Sequence, residues 1–304
     1  MTDTYRKTTS VIFDQTKCIS GGASNDCFFY IDWNAILKPN MSYYVTFTYI
    51  SYGTNVYAGY YPPMLWADIG VNTMIDGGND FILGIIKPLV EHPAALNNII
   101  LYADADSNTP SYIANRPNGN IVHFRVIGSD RLNWIDDAAN PSNPAAWRVT
   151  LHFTEADKLP PIKKLYLSYY QAEATFNNVN MNYLLDKSKR YKVSFVFSGG
   201  KPVTSAYVNS LVNINWNMDT AYPFSNLTYA SEYGILGKLG RIRYDTGITG
   251  AYIDTNALTN EPVTLVQWNT NIIVRFLGPD LNLSPYFPDV PNRWALLLSF
   301  TEIN

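Results

Sequence analysis

The sequence predicts an all-β protein built from two tandem copies of one β-sandwich, and three observations predict it. First, the chain repeats itself. Trp147 opens the run WRVTLHFTE and Trp294 opens WALLLSFTE. YYVTFTY from Tyr43 answers YKVSFVF from Tyr191, HFRVIGSD from His123 answers IVRFLGPD from Ile273, and ILG recurs at Ile82 and Ile235. These matches keep one order and nearly one offset, a period far longer than those of solenoids or propellers. Second, the dominant period inside each copy is two, the alternation of half-buried strands. Third, Gly, Pro, Asn and Asp crowd the gaps between strand-like runs, as turns require, and helical periodicity is scarce.

In the first copy, strands are expected near residues 9–14, 27–32, 43–50, 64–70, 81–87, 98–103, 121–127 and 147–154. The third shows its parity at Val45, Phe47 and Tyr49. The last does so at Trp147, Val149, Leu151 and Phe153, with Arg148, Thr150, His152 and Thr154 on the other face. In the second copy they are expected near 163–170, 172–177, 191–197, 207–216, 233–239, 249–254, 271–277 and 294–301, with Val193, Phe195 and Phe197 sharing a face. Asp32 to Leu37 and Asn180 to Leu185 each read as one helical turn before the matching third strands. The final strand departs from simple alternation: Ala295 and Leu297 make its outer face apolar too, so it is expected to be covered on both sides, by the neighbouring domain or by a partner. The closing Phe153-Thr154-Glu155 and Phe300-Thr301-Glu302 read as structural strand exits.

Eight strands with long, irregular connections in each half favour a jelly roll, two packed four-stranded sheets. An immunoglobulin-like sandwich is the nearest competitor, but it is shorter and has a Cys…Trp…Cys spacing that this chain lacks. The expected domains are residues 1–157 and 163–304, joined by a stiff linker, 158–162, that contains Pro160 and Pro161.

Composition limits the function. In 304 residues, hydrophobic types make up 47%, charged types only 15%, and there are 23 Tyr against 3 His. Low charge and abundant Tyr suit either surfaces that meet partners or strands in general. The net charge is −3 and the densest basic spots are only Lys163-Lys164 and Lys187 to Arg190, which disfavours direct nucleic-acid binding. Neither a secretory signal nor an apolar stretch long enough to span a bilayer is visible, so an intracellular origin is expected. Cys18 and Cys27 then read as free thiols, and the sequons at Asn40, Asn226 and Asn282 carry little weight.

Signatures of catalysis and metal binding are thin. His92, His123 and His152 lack partners at metal-ligand spacing and read as surface histidines. Asp104-Ala105-Asp106-Ser107-Asn108 opens like a calcium loop, but Thr109 and Asn115 stand where that loop needs Gly and Glu. Asp136-Asp137 has no nameable acid or base partner. No catalytic residue, cofactor or metal is therefore expected, and the chain does not read as an enzyme. What rises above background is the loop SYGTNVYAGYYPP, with Tyr52, Tyr57, Tyr60 and Tyr61. Tyrosine gives contact area at low entropic cost. Those four residues and Leu297 are the candidate protein-interface positions.

Two tandem jelly rolls, each closed by a W-x-[VL]-x-L-x-F strand, resemble capsid proteins of large icosahedral double-stranded DNA viruses and their virophages. The compact, equal halves resemble the minor capsid or vertex (penton) type more than the longer major capsid proteins. The resemblance implies a structural capsid protein of the virion, assembled in the host cytoplasm. Its partners would be major capsomers, neighbouring minor proteins or copies of itself. The competing expectation is a jelly-roll lectin that stacks sugars on the Tyr-rich loop.

Overall fold

In a computed structural model, the protein is described over residues 6–19, 26–52, 62–75, 78–90, 99–128, 146–156, 159–199, 211–219, 234–239, 242–244, 251–278, 282–283 and 293–303. The first half runs β1 (Thr8–Asp14), β2 (Asp26–Tyr30), α1 (Trp33–Ile36), β3 (Tyr43–Tyr52), β4 (Met64–Ala67), β5 (Thr73–Ile75) and β6 (Gly78–Asp80). It continues through β7 (Ile82–Ile85), β8 (Lys87–Val90), β9 (Ile99–Ala103), β10 (Ser111–Ile113), β11 (Ile121–Ile127) and β12 (Ala146–Glu155). The second half runs β13 (Ile162–Tyr169), β14 (Glu173–Phe176), α2 (Met181–Leu184), β15 (Arg190–Gly199), β16 (Leu211–Ile214) and β17 (Asn217–Asp219). Then come β18 (Gly234–Lys238), β19 (Ile242–Tyr244), β20 (Ala251–Thr255), β21 (Val263–Gln267), β22 (Ile272–Leu277) and β23 (Trp294–Ile303).

The two halves share one strand order. In the first, β1-β12-β3 forms a sheet to which β10 and β9 add at opposite ends of β3, facing a second sheet β2-β11-β4-β7. In the second, β13-β23-β15 takes β21 and β20 at the two ends of β15, facing β14-β22-β16-β18. The alternation read from sequence is the cause: Val45, Phe47, Tyr49, Trp147, Val149, Leu151 and Phe153 all point into one core, Val193, Phe195, Phe197, Trp294, Leu296, Leu298 and Phe300 into the other. Each of these side chains, fully buried, contributes roughly 1.5–3 kcal/mol.

Sequence reading missed several short strands. β10 and β21 have three and five residues, too few for a clear period. The expected strand over 81–87 is two, β7 and β8. The expected strand over 64–70 ends at Ala67, before Asp68 and a positive-φ Gly70.

Candidate functional site

Among the described residues the halves meet through a hairpin, an apolar cluster and a buried lysine, besides the hydrogen bonds from Ala257 N to Ser107 O and between the Thr109 and Ser194 hydroxyls. The hairpin β5–β6 leaves the first half and extends the second half's sheet: β5 runs parallel to β13, with Thr73 opposite Lys164 and Met74 opposite Leu165. A separate apolar cluster fills the seam, including Met64, Ile82 and Ile85 from the first half and Tyr166, Val196 and Leu297 from the second. Finally, Lys164, 1% exposed, donates from Nζ to Leu83 O at 2.9 Å, Thr109 O at 2.8 Å and Ser111 Oγ at 2.8 Å. All three acceptors belong to the first half. Burial pushes the Lys164 ammonium down to about 7 from its ordinary 10.5. The three oxygens oppose that shift, because they satisfy all three ammonium protons.

Lys164 belongs to one of the two densest basic spots in the sequence. Nothing local marks it as buried, because its burial comes from strands 53 to 81 residues away in the chain. Leu297 is fully buried against the first half. The apolar outer face of its strand is thus covered by residues of the first half.

A second pattern explains the repeated ILG. Asn108 accepts from Ile85 N at 2.8 Å and donates to Ile85 O at 2.9 Å. Asn260 does the same to Lys238 N and O, at 2.8 and 2.9 Å. A Cβ on Gly84 would lie 2.5 Å from the Asn108 side chain and 2.8 Å from Phe47; one on Gly237 would lie 2.6 Å from Asn260 and 3.0 Å from Phe195. Glycine is required at both places because the amide must reach the backbone of the bulged edge strand. The turns leading to these amides also match: Ser107 Oγ accepts from Asp104 N, and Thr259 Oγ1 from Asn256 N, both at 3.0 Å. The calcium-like Asp104–Asn108 run is therefore a turn that delivers a structural amide.

Among the described residues, the titratable groups lie in separate local pairs. His123 is half-buried rather than a free surface residue. Its Nε2 lies 2.6 Å from Asp26 Oδ1 and its ring stacks on Phe28 at 4.1 Å, because β11 pairs with β2. His152 Nδ1 meets Ser10 Oγ at 2.8 Å, and burial lowers its pKa. Cys27 is buried and Cys18 half-buried, and neither is in a disulfide; burial pushes the Cys27 thiol up, with the neighbouring Cys18 adding to the shift. Beside the seam lies a cleft of about 600 Å³ lined by, among others, Asp106, Glu261, Thr46, Ser194 and Thr301. Among the described residues, no group of three His, Cys, Asp or Glu could hold a metal ion, and no helix is long and apolar enough to cross a membrane. Tyr52 closes β3 opposite Ala146. Tyr57, Tyr60, Tyr61, His92, Asp136 and Asp137 lie outside the described residues.

No protein-family model matches the chain, and no curated protein matches it. Among solved structures it is similar to the cowpea mosaic virus top component, naturally occurring empty particles. That match has 10% identity and a TM-score of 0.30, and covers 98% of this chain and 88% of that one. It is similar to the mavirus penton protein at 8% identity and a TM-score of 0.21, covering 98% and 100%. A conserved protein of unknown function from Pseudomonas aeruginosa PAO1 follows at 8% identity and 0.20, covering 99% and 95%. At these scores the likenesses carry no argument about role.

Proposed function

We propose that this chain is a structural subunit of an icosahedral viral capsid: two jelly rolls, residues 1–157 and 163–304, descended from one by duplication and joined as a single block. The observation that carries the reading is the seam. A hairpin, an apolar cluster and a buried lysine serve only to join one sandwich to the other, and a shell tile needs that fixed joint. The equivalent strand orders, the matching Asn108 and Asn260 clamps and the buried Trp147 and Trp294 support duplication. What recurs in both halves among the described residues is packing and backbone support, and the recurring carboxylates Glu155 and Glu302 are tied up in ion pairs with Lys38 and Lys189, so the role is proposed to be non-enzymatic.

The finer assignment is a minor capsid or vertex (penton) protein of a double-stranded DNA virus. It would reside in the virion, assemble in the host cytoplasm and pack against major capsomers, other minor proteins or copies of itself. Negative-stain microscopy of the purified chain, alone and mixed with the shell proteins of its source particle, tests it. Five-fold rings or incorporation into shells are expected. A protein that never enters a shell, or that binds glycans specifically and loses that binding on Tyr60→Ala, overturns the reading in favour of a lectin.

A further inference from the structure

We propose that Cys18 and Cys27 are a redox pair, closed to a disulfide by an oxidised thiol compound such as glutathione disulfide and reopened by reducing thiols. This switch is independent of the capsid reading. The fold brings the two sulfurs together. Asp14 Oδ1 accepts from Thr16 N at 3.1 Å and caps the 3-10 turn Gln15–Lys17, and Cys18 N closes that turn on Gln15 O at 3.2 Å. Ile19 N then donates to Phe28 O at 2.8 Å, which lays the chain leaving β1 against β2. Cys18 packs on the core cluster that contains Cys27, and the two thiols are hydrogen-bonded to each other.

Packing by itself does not call for sulfur here. HFRVIGSD matches IVRFLGPD, so Phe124 corresponds to Val274, and their strand partners Cys27 and Ala174 correspond too. A methyl group is enough at that place in the second half. A bond between Cys18 and Cys27 has a mechanical effect instead. β1 belongs to one sheet of the first sandwich and β2 to the facing sheet, so the link ties the two sheets covalently just beyond the end of β1. Closing a loop of about ten residues also lowers the entropy of the unfolded chain.

The chemistry is thiol–disulfide exchange. Cys18 is half-buried and Cys27 buried, so Cys18 meets the oxidant first. Its thiolate attacks one sulfur of glutathione disulfide, the sulfur–sulfur bond breaks, and one glutathione thiolate leaves. Cys27 Sγ then attacks the Cys18 sulfur of this mixed disulfide, gives up its proton to solvent and expels the second glutathione thiolate. In sum, two protein thiols lose two electrons and two protons, and one glutathione disulfide becomes two glutathione thiols. Burial holds the Cys27 thiol protonated, so the second step is the slow one and the mixed disulfide at Cys18 precedes the closed pair.

The test equilibrates the full chain with glutathione disulfide or with dithiothreitol, then counts thiols after unfolding and weighs the intact chain. The oxidised sample should lose both thiols and two mass units with no bound glutathione, and dithiothreitol should restore them. Its thermal midpoint should rise by roughly 4 °C. Cys27→Ala, which places in the first half the residue the second half already carries, should stop at a glutathione adduct on Cys18 with no such rise. A wild-type chain that keeps both thiols, stops at the Cys18 adduct or cross-links only between molecules overturns the proposal, as does a bond that leaves the midpoint unchanged.

Discussion

Replacing Lys164 with methionine isolates the cation of the seam while keeping most of its volume. In the folded chain burial depresses the ammonium from 10.5 to about 7, a difference equivalent to roughly 5 kcal/mol. The sign follows from proton counts. Between about pH 7 and 10.5 the unfolded chain holds this proton and the folded chain sheds it, so the unfolded state binds more protons and stability rises with pH. Below about 7 both states are protonated and the contribution is flat, at its least favourable. The upper part of the window is contested by Cys27, whose pKa burial raises. Its unfolded thiol ionises near 9.0, its ordinary value, while the folded one does not, and stability then falls with pH. The clear interval is therefore about pH 7 to 8.5, over which wild-type stability should climb by about 1.5 kcal/mol. Urea unfolding followed by tryptophan fluorescence measures it. Lys164→Met should abolish the climb. It should also lower stability at pH 8.5, where the neutral amine still donates two hydrogen bonds among Leu83 O, Thr109 O and Ser111 Oγ, each worth about 1–3 kcal/mol when its acceptor is left bare. A wild-type profile that is flat across this interval, or a variant that keeps the slope, would refute the assignment of a charge-burying seam.

The two amide clamps should be unequal. Asn108→Ala strips a buried backbone pair of its partners and should cost about 2–4 kcal/mol, whereas Asn260→Ala, at a more exposed site, should cost less, both read from the urea midpoint. Gly84→Ala and Gly237→Ala drive a methyl into those same amides and should each cost about 1–3 kcal/mol. Leu297→Ala opens a cavity in the seam and should cost about 2–5 kcal/mol, visible as a lower thermal midpoint. Titration of the native protein with a thiol reagent should label Cys18 ahead of Cys27, with both labelled after unfolding; equal native rates would contradict the burial of Cys27.

Much of the fold was legible because strand burial is written in the chain with period two. Trp147 to Thr154 and Tyr191 to Phe197 announce their inward faces, and Leu297 breaks alternation because a second apolar layer covers it. The repeat of ILG was also visible, but its reason was not. Asn108 reads as part of an Asp- and Asn-rich turn, and its role as a clamp emerges only with Gly84 beside it, 24 positions away in sequence.

By itself, then, the sequence determined an all-β chain, the course of its long strands and which of their residues face the cores, since each follows from local alternation. Only the tertiary structure decided that β5–β6 crosses into the other sheet, that Lys164 is buried at the seam, and that His123 meets Asp26. Those features depend on which strands become neighbours, and strand pairing is settled by contacts between segments tens of residues apart, where no local period carries a signal.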